Sequence, residues 1–190
     1  MTTKLIQDYV KVYENFLDAS TCNIIIDTLT NNEWQKHAYF AERSNQSITF
    51  DTDLEVTAIQ SPEQQQLNNK IWFAIEQYIL KDFKNFNGYF EGWEGYSPVR
   101  FNRYDEKTEM RLHCDHIKSL FTGNRRGIPI LSVVGALNED YEGGEFIMWE
   151  DTKIPLPTGS IMIFPSNFLY PHKVTPVTKG VRYSYVSWVW

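Results

Sequence analysis

From Val99 onward the chain breaks into short stretches rich in Val, Ile, Phe and Tyr: "PVRFNRY", "EMRLHCD", "IPILSVVGALN", "GEFIMW", "GSIMIFP", "YPHKVTPV" and "VRYSYVSWVW". Turn signals such as "YEGG", "PLPTG" and "TKG" separate them. Short β-prone runs at regular spacing are what a β-sandwich or jelly roll is built from, because each strand crosses one thin core and then reverses. The glycines of these turns, Gly143, Gly144, Gly159 and Gly180, are read as turn formers without chemistry. Asp140 and Glu145, which flank one turn, are read as solvated hairpin charges.

The first third reads differently. "SPEQQQLNNKIWFAIEQYILKDF" has Ser61 as an N-cap, Pro62 at the first helical position and Gln64 placed to complete a capping box. Leu67, Ile71, Ala74, Ile75 and Tyr78 fall on one helical face, which is expected to cover a sheet. "DASTCNIIIDTLTNNEW" offers Asp18 or Ser20 as a cap, then Ile24, Ile25 and Leu29 at helical spacing. Between them "YFAERSNQSITFDTDLEV" is polar and irregular, a candidate surface loop or lid. Helices first and strands later give an α+β layout. The expectation is one domain over 1–190, with 1–96 mainly helical support and 97–190 the jelly-roll core.

Apolar residues make up 42% of the chain, enough for a real core. A formal net charge of -6 argues against nucleic acid as the main partner, and the Arg125-Arg126 pair is read as a solvated loop. Two cysteines, Cys22 and Cys114, cannot make a disulfide framework and fit a reducing compartment. The opening "MTTKLIQDYV" lacks the apolar core of a signal peptide, and no apolar run is long enough to span a bilayer. The expectation is a cytoplasmic protein with no membrane partner, a monomer or a homodimer.

"MRLHCDHI" carries the chemistry. In an extended segment, side chains alternate faces, so His113 and Asp115 point one way and Cys114 and His116 the other. An imidazole and a carboxylate can grip one metal ion and then need a third ligand. His172, just before a later strand, is the natural candidate. Two His and one carboxylate leave open coordination positions, which favours non-haem Fe(II) and oxygen chemistry over a closed zinc site. The alternative is a polar edge without a metal. His37 and His116 are read as surface or satisfied polar residues. Arg182 lies in an aromatic, Val-rich strand, where a buried guanidinium needs a carboxylate partner. A bound dicarboxylate would supply one, whereas an edge strand would place Arg182 in solvent. Lys179 is read as solvated.

These residues resemble the Fe(II)/2-oxoglutarate-dependent dioxygenases, in particular the prolyl 4-hydroxylase-like branch. "RYDEKTEMRLHCD" is similar to the family's metal-ligand strand, "LSVVGALNEDYEGGEF" to its strand and Gly-Gly-Glu hairpin, and "LPTGSIMIFPSNFLYPHKVTPVTKGVRYSYVSW" to its distal-His and Arg/Lys run. The resemblance covers roughly 97–190 and implies a double-stranded β-helix with the N-terminal helices packed on one face. It implies His113, Asp115 and His172 as iron ligands and catalytic centre. It further implies Arg182 and Tyr104 as contacts of 2-oxoglutarate, and Trp188 as a pocket wall. Lys107 departs from the family, which usually has Gly there. Arg182 stands where collagen-type enzymes use Lys, which argues against a collagen-like substrate.

The implied cofactors are Fe(II), 2-oxoglutarate and O2, with ascorbate as a further reductant to test. The implied reaction couples decarboxylation of 2-oxoglutarate to succinate with C–H hydroxylation of a proline in a peptide or protein. Segments 39–58 and 116–129 would flank the mouth, where Tyr39, Phe40, Phe50 and Phe121 could pack on a proline ring or simply anchor the loops. His116 could touch substrate there. Two alternatives stand beside this reading: an oxygenase of a free amino acid or small metabolite, and a non-catalytic jelly-roll binding module.

Overall fold

The structure is a computed structural model that describes residues 4–41, 46–59, 61–90, 95–115 and 128–190. Two α-helices precede most of the sheet, α1 (Ala19–Thr30) and α2 (Pro62–Glu76). The early strands are β1 (Lys11–Tyr13), β2 (Gln35–Lys36), β3 (Tyr39–Ala41), β4 (Gln46–Ile48) and β5 (Glu55–Thr57). Then come β6 (Arg100–Tyr104), β7 (Met110–His113), β8 (Leu131–Ala136), β9 (Glu142–Gly143) and β10 (Phe146–Met148). The last are β11 (Thr152–Lys153), β12 (Ile161–Pro165), β13 (His172–Val174), β14 (Val177–Lys179) and β15 (Arg182–Val189).

A seven-stranded sheet runs in the order β1-β12-β8-β15-β6-β5-β2, and a four-stranded sheet in the order β11-β10-β13-β7. The pairings within both are antiparallel, and the fold is a double-stranded β-helix with helices packed on one face. Each stretch read as a strand in the second half forms one. The first half also contributes β1, β2 and β5 to the large sheet. The segment read as an irregular loop holds the β3–β4 hairpin, with Tyr39 opposite Ile48. Short strands of this kind are formed by pairing, which local composition does not encode.

Alternation along the large sheet builds two cores. On β12, Ile161 and Ile163 join the helix-facing cluster, whereas Met162 and Phe164 join the cluster between the sheets. The helix-facing cluster takes Leu67, Ile71, Ala74, Ile75 and Tyr78 from α2 and its continuation, the face expected from sequence. Leu67, Ile71 and Ile75 each contribute about 1.5–3 kcal/mol on full burial. Ser61 caps α2 by accepting from the Gln64 backbone N–H at 3.1 Å. The Gln64 side chain does not close a capping box; it is buried and donates to the Val99 carbonyl at 3.2 Å. That bond ties α2 to the chain entering β6. Asp18 is the cap of α1. Ile25 and Leu29 are buried, but Ile24 is 53% exposed and Cys22 takes its place in the core.

The turn glycines all take positive φ, as their reading required. Lys107 takes φ 69° and donates its backbone N–H to Val177 O at 2.8 Å. The turn before β7 thus keeps the left-handed conformation that glycine adopts without a Cβ penalty. Lys107→Gly is expected to raise stability by about 1 kcal/mol. An unchanged urea midpoint would show that the lysine side chain makes offsetting contacts. Both cysteines are free. Among the described residues, no helix is long and apolar enough to cross a membrane.

Candidate active site

β7 and β13 pair directly, with His113 opposite His172. This register brings together two histidines that are far apart in sequence. β7 ends at His113, and Asp115 follows two residues on, still facing the same side. His113, Asp115 and His172 each offer a ligand atom, and these atoms lie within 4.8 Å of one another. Cys114 is outside this group, as strand alternation predicts.

The surrounding hydrogen bonds orient all three. His113 Nδ1 sits 2.7 Å from the Arg111 carbonyl, and His172 Nδ1 sits 3.0 Å from the Tyr170 carbonyl. A carbonyl only accepts, so each Nδ1 carries the proton and each Nε2 keeps its lone pair. The two Nε2 atoms lie 3.4 Å and 3.8 Å from Asp115 Oδ1. Asp115 Oδ2 accepts from Ser132 Oγ at 2.5 Å, and Ser132 is itself 2.7 Å from Ser166. His172 is held between aromatic rings, stacked on Phe146 at 5.2 Å and edge-on to Phe164 at 5.1 Å.

Electrostatics favour metal binding. Burial pulls His172 down to about 4, so its imidazole is neutral near pH 7. Burial alone would raise Asp115; the adjoining His113 and His172 rings and the hydroxyl of Ser132 outweigh it and hold the carboxyl well below the usual range. An ionised carboxylate and a neutral imidazole are the ligand states Fe(II) requires.

The opposite wall of the cavity comes from β6 and β15, where Tyr104 pairs with Arg182. Arg182 is buried at 2% exposure. It donates to Ser184 Oγ at 3.0 Å, lies 4.8 Å over the Tyr104 ring, and leaves Nε without a partner. A buried guanidinium with an open donor calls for an anionic ligand, so the solvent-edge alternative for Arg182 is removed. Burial raises the pKa of Tyr104, Arg182 and Arg100 opposing it, and the phenol remains a donor at neutral pH. Trp188 lines the same cavity. His113, Asp115, His172, Arg182 and Tyr104 therefore share one enclosed space with Met110, Val134, Phe146 and Val174.

Residues 99–190 match the family model described as the 2OG-Fe(II) oxygenase superfamily. This part, just under half of the chain, is similar to that superfamily. Its cofactor set is Fe(II), 2-oxoglutarate and O2, and the donor set and the open Arg182 fit it. A PKHD-type hydroxylase of Alteromonas mediterranea is 35% identical over 98 residues, covering 48% of this chain and 42% of that relative. One from Xylella fastidiosa is 34% identical over 109 residues, covering 48% and 44%. The chain thus spans less than half the length of the curated relatives it matches. Among solved structures, a Pseudomonas putida prolyl-4-hydroxylase superposes with a TM-score of 0.66 at 20% identity, covering 95% of this chain and 91% of that one. The viral collagen prolyl hydroxylase of Paramecium Bursaria Chlorella virus-1, in complex with 2OG, gives 0.65 at 17%, covering 95% and 94%. A Trichoplax adhaerens prolyl hydroxylase in complex with a hypoxia inducible factor peptide gives 0.66 at 18%, covering 96% and 84%. These likenesses carry the oxygenase fold.

Several expectations sharpen or change. Glu145 pairs with Lys153 at 2.6 Å and Lys179 with Glu142 at 2.8 Å, as solvated hairpin charges do. Tyr39 and Phe50 act as anchors on β7: the Tyr39 hydroxyl donates to Met110 Sδ at 3.4 Å, and Arg111 lies 3.5 Å over the Phe50 ring. His116, Phe121, Arg125 and Arg126 lie outside the described residues, as does the Phe40 side chain. His37 is not a satisfied surface residue. Its Nδ1 is enclosed without a partner, and burial, then Arg100 and His113, pull it down to about 4. Ser132 and Arg100 went unread. Their signal was a polar residue on the inner face of an apolar strand, and the i, i+2, i+4 series Arg100, Asn102, Tyr104 that lines the cavity.

Proposed function

We propose that the chain is an Fe(II)/2-oxoglutarate oxygenase that hydroxylates a proline in a peptide or protein. The observation that carries the reading is the facing of the His113–Asp115–His172 group and the open Arg182–Tyr104 pair across one cavity. In this reading His113 Nε2, Asp115 Oδ1 and His172 Nε2 hold Fe(II), and Arg182 and Tyr104 take the far carboxylate of 2-oxoglutarate. With O2, that centre supplies the oxidation of a C–H bond as 2-oxoglutarate is converted to succinate and carbon dioxide.

The chain's own work is positioning. The Arg111 and Tyr170 carbonyls fix both imidazole tautomers, and Ser132 fixes the carboxylate rotamer. Val134, Phe146 and Val174 make an apolar wall that limits water around the reacting groups. The choice of proline is supported by the prolyl hydroxylases among the structural neighbours, which share this fold.

Anaerobic titration with Fe(II) and 2-oxoglutarate should give a stoichiometric spectral change, and succinate should form in air. No spectral change and no succinate would leave the binding-module alternative. Prolyl peptides should accelerate succinate formation and gain one oxygen atom by mass; acceleration by free proline alone would favour the small-metabolite alternative. Arg182→Gln should weaken 2-oxoglutarate binding by roughly 10- to 100-fold, as expected for loss of a charged hydrogen-bond partner. An unchanged apparent affinity would remove Arg182 from that role.

A further inference from the structure

The cavity is lined by a second guanidinium, that of Arg100. β6 and β15 run antiparallel, with Arg182 opposite Tyr104, Ser184 opposite Asn102 and Val186 opposite Arg100. Arg100 is therefore four residues along the strand from Tyr104, about 13 Å at the usual strand rise. It faces the same cavity from the other end. Its guanidinium stacks 5.0 Å over the ring of Trp188. Among the described residues it makes no side-chain hydrogen bond and no ion pair, and its Nε is enclosed without a partner. The Trp188 indole Nε1 is enclosed and unpartnered too.

The contrast with the next arginine on the strand is direct. Arg103 faces the other way, pairs with Glu55 and Asp105, and stacks on Trp34. Arg100 carries the same charge without a carboxylate. A partly desolvated cation left unpaired costs free energy unless a ligand completes it. 2-Oxoglutarate has two carboxylates, and on the reading above they are assigned to the metal and to Arg182. The anion at Arg100 must then come from elsewhere.

Arg100 also lines a second space. A polar cleft of about 700 Å³ opens beside α1 and β5, bounded by Asn32, Glu33, Gln35, Thr57 and Ser61, with Arg100 on its wall. Arg100 thus lines both this cleft and the cavity of the His113–Asp115–His172 group. We propose that Arg100 binds a carboxylate of the primary substrate. The substrate class is then an amino-acid or peptide acid whose carboxylate lies near the hydroxylated carbon, with the remaining chain in the polar cleft. This inference rests on the assignment of Arg182 to the cosubstrate. The fixed plane of a stacked guanidinium suits bidentate capture of a carboxylate, and Lys would not reproduce it.

The test uses the full chain loaded with Fe(II) and 2-oxoglutarate under anaerobic conditions. The probes are acetyl-Ala-Xaa-Gly peptides, with each proteinogenic residue at Xaa, as free acid and as C-terminal amide. Acetyl-Ala-Xaa-Asp amides separate a side-chain carboxylate from a chain terminus. Binding is read by thermal shift and turnover by succinate formed on admitting air. At least one acid should bind about 10- to 100-fold more tightly than its neutral amide, and Arg100→Gln should erase that difference. Arg100→Lys should restore it only in part. Equal binding of acid and amide in the wild type, or binding of neither, overturns the proposal. A matching loss of 2-oxoglutarate affinity in Arg100→Gln would place Arg100 with the cosubstrate and also overturn it. Absence of succinate with acid-selective binding intact would instead count against the hydroxylase reading alone.

Discussion

Asp115→Ala is expected to abolish succinate formation while leaving the fold intact. Asp115 Oδ1 stands between the two imidazole nitrogens, and Oδ2 is held by Ser132. The substitution removes one of three donors and the only anionic one in the group. Loss of a supporting hydrogen bond around a metal typically costs about 10- to 100-fold in affinity; loss of the ligand itself should cost more than that. The fold should survive because no buried partner is orphaned. Ser132 keeps Ser166 at 2.7 Å, and each imidazole keeps its carbonyl. Removing a buried carboxylate that folding had to desolvate also offsets the lost contacts. Iron stoichiometry, succinate yield and the melting temperature check the three parts. Ser132→Ala provides the graded comparison, with affinity for Fe(II) lowered by about 10- to 100-fold and turnover reduced but measurable. Wild-type turnover in Asp115→Ala would show that the metal is held elsewhere.

Much of this site was legible because strand geometry is periodic. His113 and Asp115 share a face for the same reason that Arg100, Asn102 and Tyr104 do, and the i, i+2 rule needs no tertiary information. The pairing of His113 with His172 did need it, since strand order and register are set by side chains packing across sheets. Composition identified the second-half strands, whose buried Val, Ile and Phe are strong β-formers. It did not identify β2, at the sheet edge, or β5 beside it, whose residues are exposed or half-buried. The α2 face was readable from its spacing, but the destination of Gln64 was not. A glutamine after a serine cap fits a capping box equally well, and only the nearness of Val99 decides where its amide goes. Arg100 was missed for a related reason: an arginine at the start of a strand reads as solvent-facing until the strand's neighbours are known.

The largest stability effect is expected at a residue with no chemistry. Gly135 lies near the end of β8, between Ile161 of β12 and Tyr185 of β15. A Cβ placed there would sit 1.9 Å from Tyr185 Cζ and 2.4 Å from its hydroxyl oxygen. The Tyr185 ring covers the glycine and is fully buried in the helix-facing core, so it has nowhere to retreat. Gly135→Ala must move the ring or part β8 from its neighbours. Overpacking of this severity costs about 3 kcal/mol or more, which for a chain of this size lowers Tm by roughly 6–12 °C. The mechanism predicts a specific coupling. Tyr185→Val is itself destabilising, because it leaves a cavity where the ring was. The double variant Gly135→Ala/Tyr185→Val should nevertheless lose less than the sum of the two, by about 1 kcal/mol or more, since the new methyl then enters space the ring has vacated. Strict additivity would show that the alanine acts through the backbone rather than through the ring. Ser132 is three residues away on the same strand and orients Asp115, so Gly135→Ala should also weaken Fe(II) binding at temperatures where the protein remains folded. The double variant should recover part of that loss.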